Sequence, residues 1–406
     1  MKNPLPLLWR ATLSACLCAG CDGGSETPPQ PQEASPAPVP AFENHIYLTV
    51  STGDTTRGEF IFDTGASDLY IDSLFHARSL TGSLPLGSGK IGGVGENMQS
   101  VRLLLPPLDF TLLGKRYATA NVTPLIHLKE IVGKRADGIV GLNFFTGKYL
   151  SVDYLAGTFC VSDTLPDTTG YRPVALRNEK GRLLARVRVS IAGKDIEGVF
   201  LIDTGNAGTL DLTRAAAQDY GLTEAEIERT TYRNRCGGIG GDALYASCLA
   251  RQIGIDTFTL EDVGISYSLD ESGSLSGKRQ YDGLIGNRLL NRFDVIFDLQ
   301  DMRLFLRPNA LYGHPFRNYS HDLLYVDRTD ICPGLIVNGM AVGGTAEKAG
   351  IMPGDILTAV DSIAVSELSL PQIDGRLSDT TRASVSLSVL RDGQVHEVVY
   401  RPVLTL

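Results

Sequence analysis

An Asp-Thr-Gly tripeptide ends an apolar run twice in this 406-residue chain, at Phe60-Ile61-Phe62-Asp63-Thr64-Gly65 and at Phe200-Leu201-Ile202-Asp203-Thr204-Gly205. One copy alone could be a tight turn at a strand end. Two copies in matched surroundings suggest half-sites that each bring one carboxylate, Asp63 or Asp203, to a shared cleft. Two carboxyls held within about 3 Å cannot both ionise, so they share one proton. One is then a general base for a water between them, and the other a general acid towards a carbonyl. That geometry needs short side chains on rigid turns that approach closely. Thr64 and Thr204 supply hydroxyls to brace the turns, and Gly65 and Gly205 let the backbones approach without a Cβ clash.

The elements around the two acids repeat as well. Gly58 matches Gly198 and Gly53 matches Gly193, at the separation of the aspartates (203 − 63 = 140). Beyond them the separation becomes 145: Ile91-Gly92-Gly93-Val94-Gly95 matches Cys236-Gly237-Gly238-Ile239-Gly240 (237 − 92 = 145). Asp137-Gly138-Ile139-Val140-Gly141 matches Asp282-Gly283-Leu284-Ile285-Gly286 at the same spacing. A duplicated unit is implied. His45–Val50 and Leu184–Val189 read as strands, and short strands between Gly and Asp turns favour an all-β unit with a closed or folded sheet. One helix is expected over Thr213–Gly221, ended by a C-cap glycine. The glycine-rich runs lack the Gly-Lys-Ser/Thr ending of a phosphate loop, so hairpin tips fit them better.

Asp63-Thr64-Gly65-Ala66-Ser67 and Asp203-Thr204-Gly205-Asn206-Ala207 resemble the active-site turns of the pepsin/retropepsin superfamily of aspartic proteases. Gly138–Gly141 and Gly283–Gly286 are similar to that family's hydrophobic-hydrophobic-Gly element, and Ile91–Gly95 resembles a retroviral-type flap. The match covers about residues 44 to 308. It implies a mainly β fold of two homologous acid-protease β-barrel lobes related by pseudo-twofold symmetry, at 43–165 and 166–310. It also implies a catalytic dyad of Asp63 and Asp203, interlocking Thr64 and Thr204, and flaps at Ile91–Gly95 and Gly237, Gly238, Ile239 and Gly240 that close over an extended peptide. Ala66 and Asn206 stand where pepsin-like members carry Ser or Thr, and the loss of a hydroxyl to an aspartate anion implies a mildly acidic optimum.

After Phe316 the pattern changes. Gly334-Leu335-Ile336-Val337, followed by Gly343-Gly344-Thr345-Ala346-Glu347-Lys348-Ala349-Gly350-Ile351-Met352-Pro353-Gly354-Asp355, resembles PDZ domains of bacterial envelope proteases, over about residues 321 to 406. The resemblance implies a small β-sandwich with helices that binds peptide C-termini by strand addition, with Gly334, Leu335 and Ile336 in the carboxylate-capturing loop. A hairpin turning at Asp392-Gly393 fits the remaining strands.

The N-terminus has Lys2 and Arg10, a short apolar run, and small residues before Cys21, which reads as a bacterial lipoprotein leader over 1–21 with lipid on Cys21; Cys16 is the alternative. Residues 22–42, rich in Pro, Gln, Ser and Glu, read as a disordered tether. Localisation in a bacterial cell envelope, lipid-anchored to its membrane, follows. Seven cysteines are present. Cys236 and Cys248 flank the second glycine segment at the places of Ile91 and Leu103, read as a cross-strand pair. There an export compartment permits a disulfide, and two buried thiols are the alternative. Cys160 and Cys332 read as buried thiols. The six histidines have no metal-ligand spacing, and neither metal nor cofactor is implied.

A net charge of −9 argues against a nucleic-acid surface. The reading is thus an aspartic-type endopeptidase acting on proteins or peptides, its active site complete within one chain. A catalytically inactive peptide-binding or sensing protein, or a PDZ scaffold, is the alternative.

Overall fold

The computed structural model describes residues 41–42, 44–52, 56–79, 86–93, 98–235, 238–239, 241–277 and 280–406. The leader, Cys16, Cys21 and most of the tether lie outside the described residues, as do Val94, Gly95, Cys236, Gly237 and Gly240. The protein is mainly β. Among the described residues the strands form sheets of nine, five and fourteen members.

Both aspartates follow strands built in the same way. Tyr47–Thr52 pairs antiparallel with Thr56–Phe62, which lies parallel to Gly138–Val140 with Phe62 opposite Val140. In the second half Arg182–Ile191 pairs antiparallel with Lys194–Ile202, which lies parallel to Gly283–Ile285 with Ile202 opposite Ile285. Alternation decides the faces: Val187 and Val189 are buried while Arg186 and Arg188 are exposed. Both leading strands start two residues from where the sequence pattern puts them, Tyr47 for His45 and Arg182 for Leu184. The expected helix forms over Arg214–Asp219. Thr213 Oγ1 accepts from Ala216 N at 3.1 Å at its start, and Gly221 follows its end at φ +72°.

The two halves share one core and one sheet. Tyr149–Asp153 pairs antiparallel with Phe293–Asp298, and Leu150, Ser151 and Val152 face Phe297, Ile296 and Val295. Since 151 + 145 = 296, Ser151 faces its own repeat counterpart, while Leu150 and Val152 each face the counterpart of the other. Phe62, immediately before Asp63, packs its ring against Phe145, Phe159 and Phe297 at centroid distances of 5.5, 4.9 and 6.2 Å. Truncating such a buried ring to Ala costs about 3–5 kcal/mol, so the floor beneath the first turn is stiff.

The C-terminal region has a core of its own, running from Leu323 to Tyr400. Its hairpin of Val385–Arg391 and Gln394–Tyr400 turns at Asp392 and Gly393, both at positive φ, the mirror-image turn that suits twisted strands. It is nonetheless continuous with the second half, because Leu335–Ala341 pairs with Arg229–Asn234.

Candidate active site

The turns carrying Asp63 and Asp203 are held by matching main-chain bonds. Asp63 N donates to Val140 O at 3.0 Å and Asp203 N to Ile285 O at 2.9 Å. Gly141 N donates to Asp68 O and Gly286 N to Thr209 O, both at 2.9 Å, while Leu142 N and Asn287 N donate to Ala66 O and Asn206 O. The hydrophobic-hydrophobic-Gly elements therefore lie under the turns, and a Cβ on Gly141 would come within 2.4 Å of Ser67.

The threonines join the turns. Thr64 N donates to Thr204 Oγ1 and Thr204 N to Thr64 Oγ1, each at 3.0 Å. The hydroxyls donate onward, Thr64 Oγ1 to Ile202 O at 2.6 Å and Thr204 Oγ1 to Phe62 O at 2.8 Å. Both side chains are buried, at 1% and 0% exposure. Four charge-free bonds thus clamp the ends of the two strands.

This clamp brings the two carboxyls together, and they hydrogen-bond to each other. Asp63 Oδ1 also accepts from Gly65 N at 2.7 Å and Ala66 N at 3.1 Å, and Asp203 Oδ1 accepts from Gly205 N at 3.0 Å. A Cβ on Gly205 would lie 2.4 Å from Asp63 Cγ, and one on Gly65 would lie 2.9 Å from Asp203 Oδ1. Only glycine fits at either place. Burial, and next the negative charge of Asp63, hold Asp203 well above the ordinary carboxylate range. Burial also raises Asp63, opposed by the amide donors and by Asp203. Both residues keep a little surface open to solvent although atoms crowd them on most sides. A pair of this kind sheds its protons in two steps and carries one proton between them.

Described residues of the two glycine segments meet each other. Gly93 touches Ile239: a Cβ on Gly93 would lie 2.4 Å from Ile239 O. Gly93 O also accepts from Ser274 N at 2.8 Å. Ile91 and Ile239 pack with Ala66 and Tyr70 on the cluster that contains Ile61 and Ile139, while Leu201 and Leu284 pack with Leu184, Leu275 and Tyr281. Gly92 follows the strand Leu86–Ile91 and lies beside Met98, and Gly238 has φ +158°.

Two residues that the sequence reading missed, Asn287 and His45, also hold the second turn. Asn287 is fully buried; its Nδ2 donates to Thr204 O at 2.5 Å and Asn44 O at 2.9 Å, and its Oδ1 accepts from Tyr154 OH. Its counterpart in the first half is Leu142 (287 − 145 = 142), and that break in the repeat was the available signal. His45 Nε2 lies 3.2 Å from Gly205 O, and burial lowers its pKa to about 4. Asn206 turns away from the pair: its Nδ2 donates to Asp211 Oδ2, and its Oδ1 accepts from Gly208 N at 2.6 Å.

The cysteine expectations need correction. Cys248 is a free, buried thiol, which is the second of the two alternatives for it; it stands opposite Arg229 in the strand register, and Cys236 lies outside the described residues. Likewise Ile91 faces Gln99 and Leu103 faces Gly87, so these two are not a cross-strand pair. Cys160 is exposed rather than buried, and Cys332 is half-buried with its thiol 3.2 Å from Arg328 O. Among the described residues no group of three His, Cys, Asp or Glu is placed to hold a metal ion.

The C-terminal region matches a known family. Residues 336–391 are a PDZ domain. No curated protein matches the chain. PDZ domains bind peptide C-termini or regulate what they are attached to. The expectation that Gly334, Leu335 and Ile336 form the capturing loop is overturned, because the strand they open is bonded on both sides. Leu335–Ala341 pairs with Leu323–Asp327 along one edge, and with Ile356–Leu357 and Tyr232–Asn234 along the other. A Cβ on Gly334 would meet Leu357 O at 2.1 Å. Among the described residues the strand Leu323–Asp327 has no second strand partner. Its outer side meets the helix Leu370–Leu377, where His321 Nε2 (3.1 Å) and Tyr325 OH both reach Asp374 Oδ1.

Proposed function

We propose that the protein is an aspartic endopeptidase of two retropepsin-like lobes in one chain, at 43–165 and 166–310, acting with its PDZ domain. The observation that carries this reading is the hydrogen-bonded carboxyl pair supplied by two repeats and clamped by reciprocal threonine bonds. The counterpart-to-counterpart register of Tyr149–Asp153 and Phe293–Asp298 supports a pseudo-twofold axis between the lobes. The meeting of Gly93 with Ile239, which packs with Ala66, supports flaps over a bound peptide.

In this mechanism the ionised carboxylate takes a proton from a water held between the acids. The water oxygen bonds to the scissile carbonyl carbon while the protonated acid donates to the carbonyl oxygen. Proton transfer to the amide nitrogen then lets the C–N bond break, giving a carboxylic acid and an amine. The favoured microstate has the proton on Asp203 and the charge on Asp63, which has more amide donors. Cleavage of a diverse peptide library by the wild type, abolished by Asp63→Asn and by Asp203→Asn, is expected. Cleavage that persists in both variants refutes the assignment. The same reading makes the protein an envelope enzyme anchored through Cys21; membrane association that survives Cys21→Ser would remove that part.

A further inference from the structure

We propose that the PDZ domain is a strap that holds the strand Arg229–Asn234, and with it Ile239 against Gly93, and so controls access to the carboxyl pair. The mechanical linkage stands on geometry alone, and its consequence for turnover rests on the endopeptidase reading above. The hairpin strand Arg229–Asn234 is hydrogen-bonded to the PDZ strand Leu335–Ala341 at the end nearest the hairpin tip: Tyr232, Arg233 and Asn234 face Ala341, Met340 and Gly339. The ladder is extended at both ends, by Arg235 N donating to Asn338 O at 2.9 Å and Val342 N donating to Thr231 O at 2.8 Å. The approach is close: a Cβ on Gly339 would lie 2.0 Å from Arg233 O. Tyr232 OH is also 2.6 Å from Thr405 Oγ1 in the C-terminal tail.

The C-terminal region is also bonded to the first half of the chain. Asn338 Nδ2 donates to Glu130 O at 3.0 Å. Lys134 N donates to Asp327 O at 2.8 Å, and Lys134 Nζ reaches Asp327 Oδ2 at 3.0 Å and Thr329 Oγ1 at 2.8 Å. Asn338 is the junction, since its carbonyl holds the hairpin and its side-chain amide holds the first half. Lifting Ile239 off Gly93 requires the strand Arg229–Asn234 to move. It can move by tearing the ladder, or it can carry the PDZ domain along and break the bonds at Glu130 and Lys134. Either route breaks several hydrogen bonds together, so the strapped and free hairpins are two discrete states. Anything that displaces the PDZ domain shifts their balance.

The test is amide hydrogen exchange on the full chain, comparing wild type with Asn338→Ala and with Lys134→Ala. Both variants should speed exchange across residues 229–235 about tenfold, the effect of losing one or two hydrogen bonds, and leave Thr56–Phe62 and Lys194–Ile202 unchanged. Lys134 lies outside the PDZ domain and its side chain is 47% exposed, so its variant decides if Asn338→Ala unfolds residues 336–391. Unchanged exchange at the hairpin in Lys134→Ala overturns the strap. In parallel, the variants should lower KM for a cleaved peptide, and faster exchange with an unaltered KM overturns control of access. Faster exchange in a protein that cleaves nothing supports the strap and refutes the endopeptidase reading instead.

Discussion

Replacing Thr64 by Val keeps the shape of the side chain and removes only its hydroxyl, which makes two bonds: it donates to Ile202 O at 2.6 Å and accepts from Thr204 N at 3.0 Å. Both partners are backbone groups in a region where Thr64 and Thr204 are 1% and 0% exposed, so water cannot replace the lost bonds without opening the turns. Each orphaned backbone group costs about 1–3 kcal/mol, which gives a loss of about 2–6 kcal/mol of stability. Thr64→Ser, which keeps the hydroxyl, should stay within about 1 kcal/mol of wild type. Urea unfolding followed by far-UV circular dichroism measures both. The turns should also drift, so peptide cleavage by Thr64→Val should fall by at least tenfold while Thr64→Ser keeps most of it. A Thr64→Val protein within about 0.5 kcal/mol of wild type would refute the claim that these bonds clamp the site.

The pair itself sets the pH response. Asp203 has a folded pKa above its unfolded value, so its ionisation penalises the fold; the penalty is absent below about pH 4 and complete above the folded value. Asp203→Asn should therefore melt higher than wild type at pH 7 and alike at pH 3, by scanning calorimetry, while losing activity. Every tenfold preference of the fold for the protonated acid is worth about 1.4 kcal/mol. Cleavage needs one proton on the pair and both acids are raised, so the rate should peak at mildly acidic pH; a peak below about pH 3, near pepsin's range, contradicts this. Gly205→Ala puts a Cβ 2.4 Å from Asp63 Cγ and should lower kcat at least a hundredfold with the fold retained.

Much of the site was legible in the chain because it rests on repetition. Asp63 and Asp203 end apolar runs at a fixed separation, and Gly141 and Gly286 recur at another, so their equivalence needs no coordinates. The hairpin at Asp392-Gly393 and the helix after Thr213 were equally readable, since caps and turns are local chemistry. Pairings between distant segments were not readable. Cys248 and Leu103 looked like cross-strand partners of Cys236 and Ile91, but strand register depends on which residues face the core, and it set Arg229 and Gly87 opposite them. Gly334 reads as part of a capturing loop in the sequence, whereas the strand that begins at Leu335 is bonded along both edges. Asn287 and His45 reach the second turn only because the chain folds back on it from far away. The sequence alone thus determined that two like turns exist and what chemistry two carboxyls could share. Only the tertiary structure decided that the hydroxyls of Thr64 and Thr204 cross, that Ile239 meets Gly93, and that Asn338 joins the second hairpin to the first half. Such contacts depend on packing between segments more than a hundred residues apart, and no local pattern encodes them.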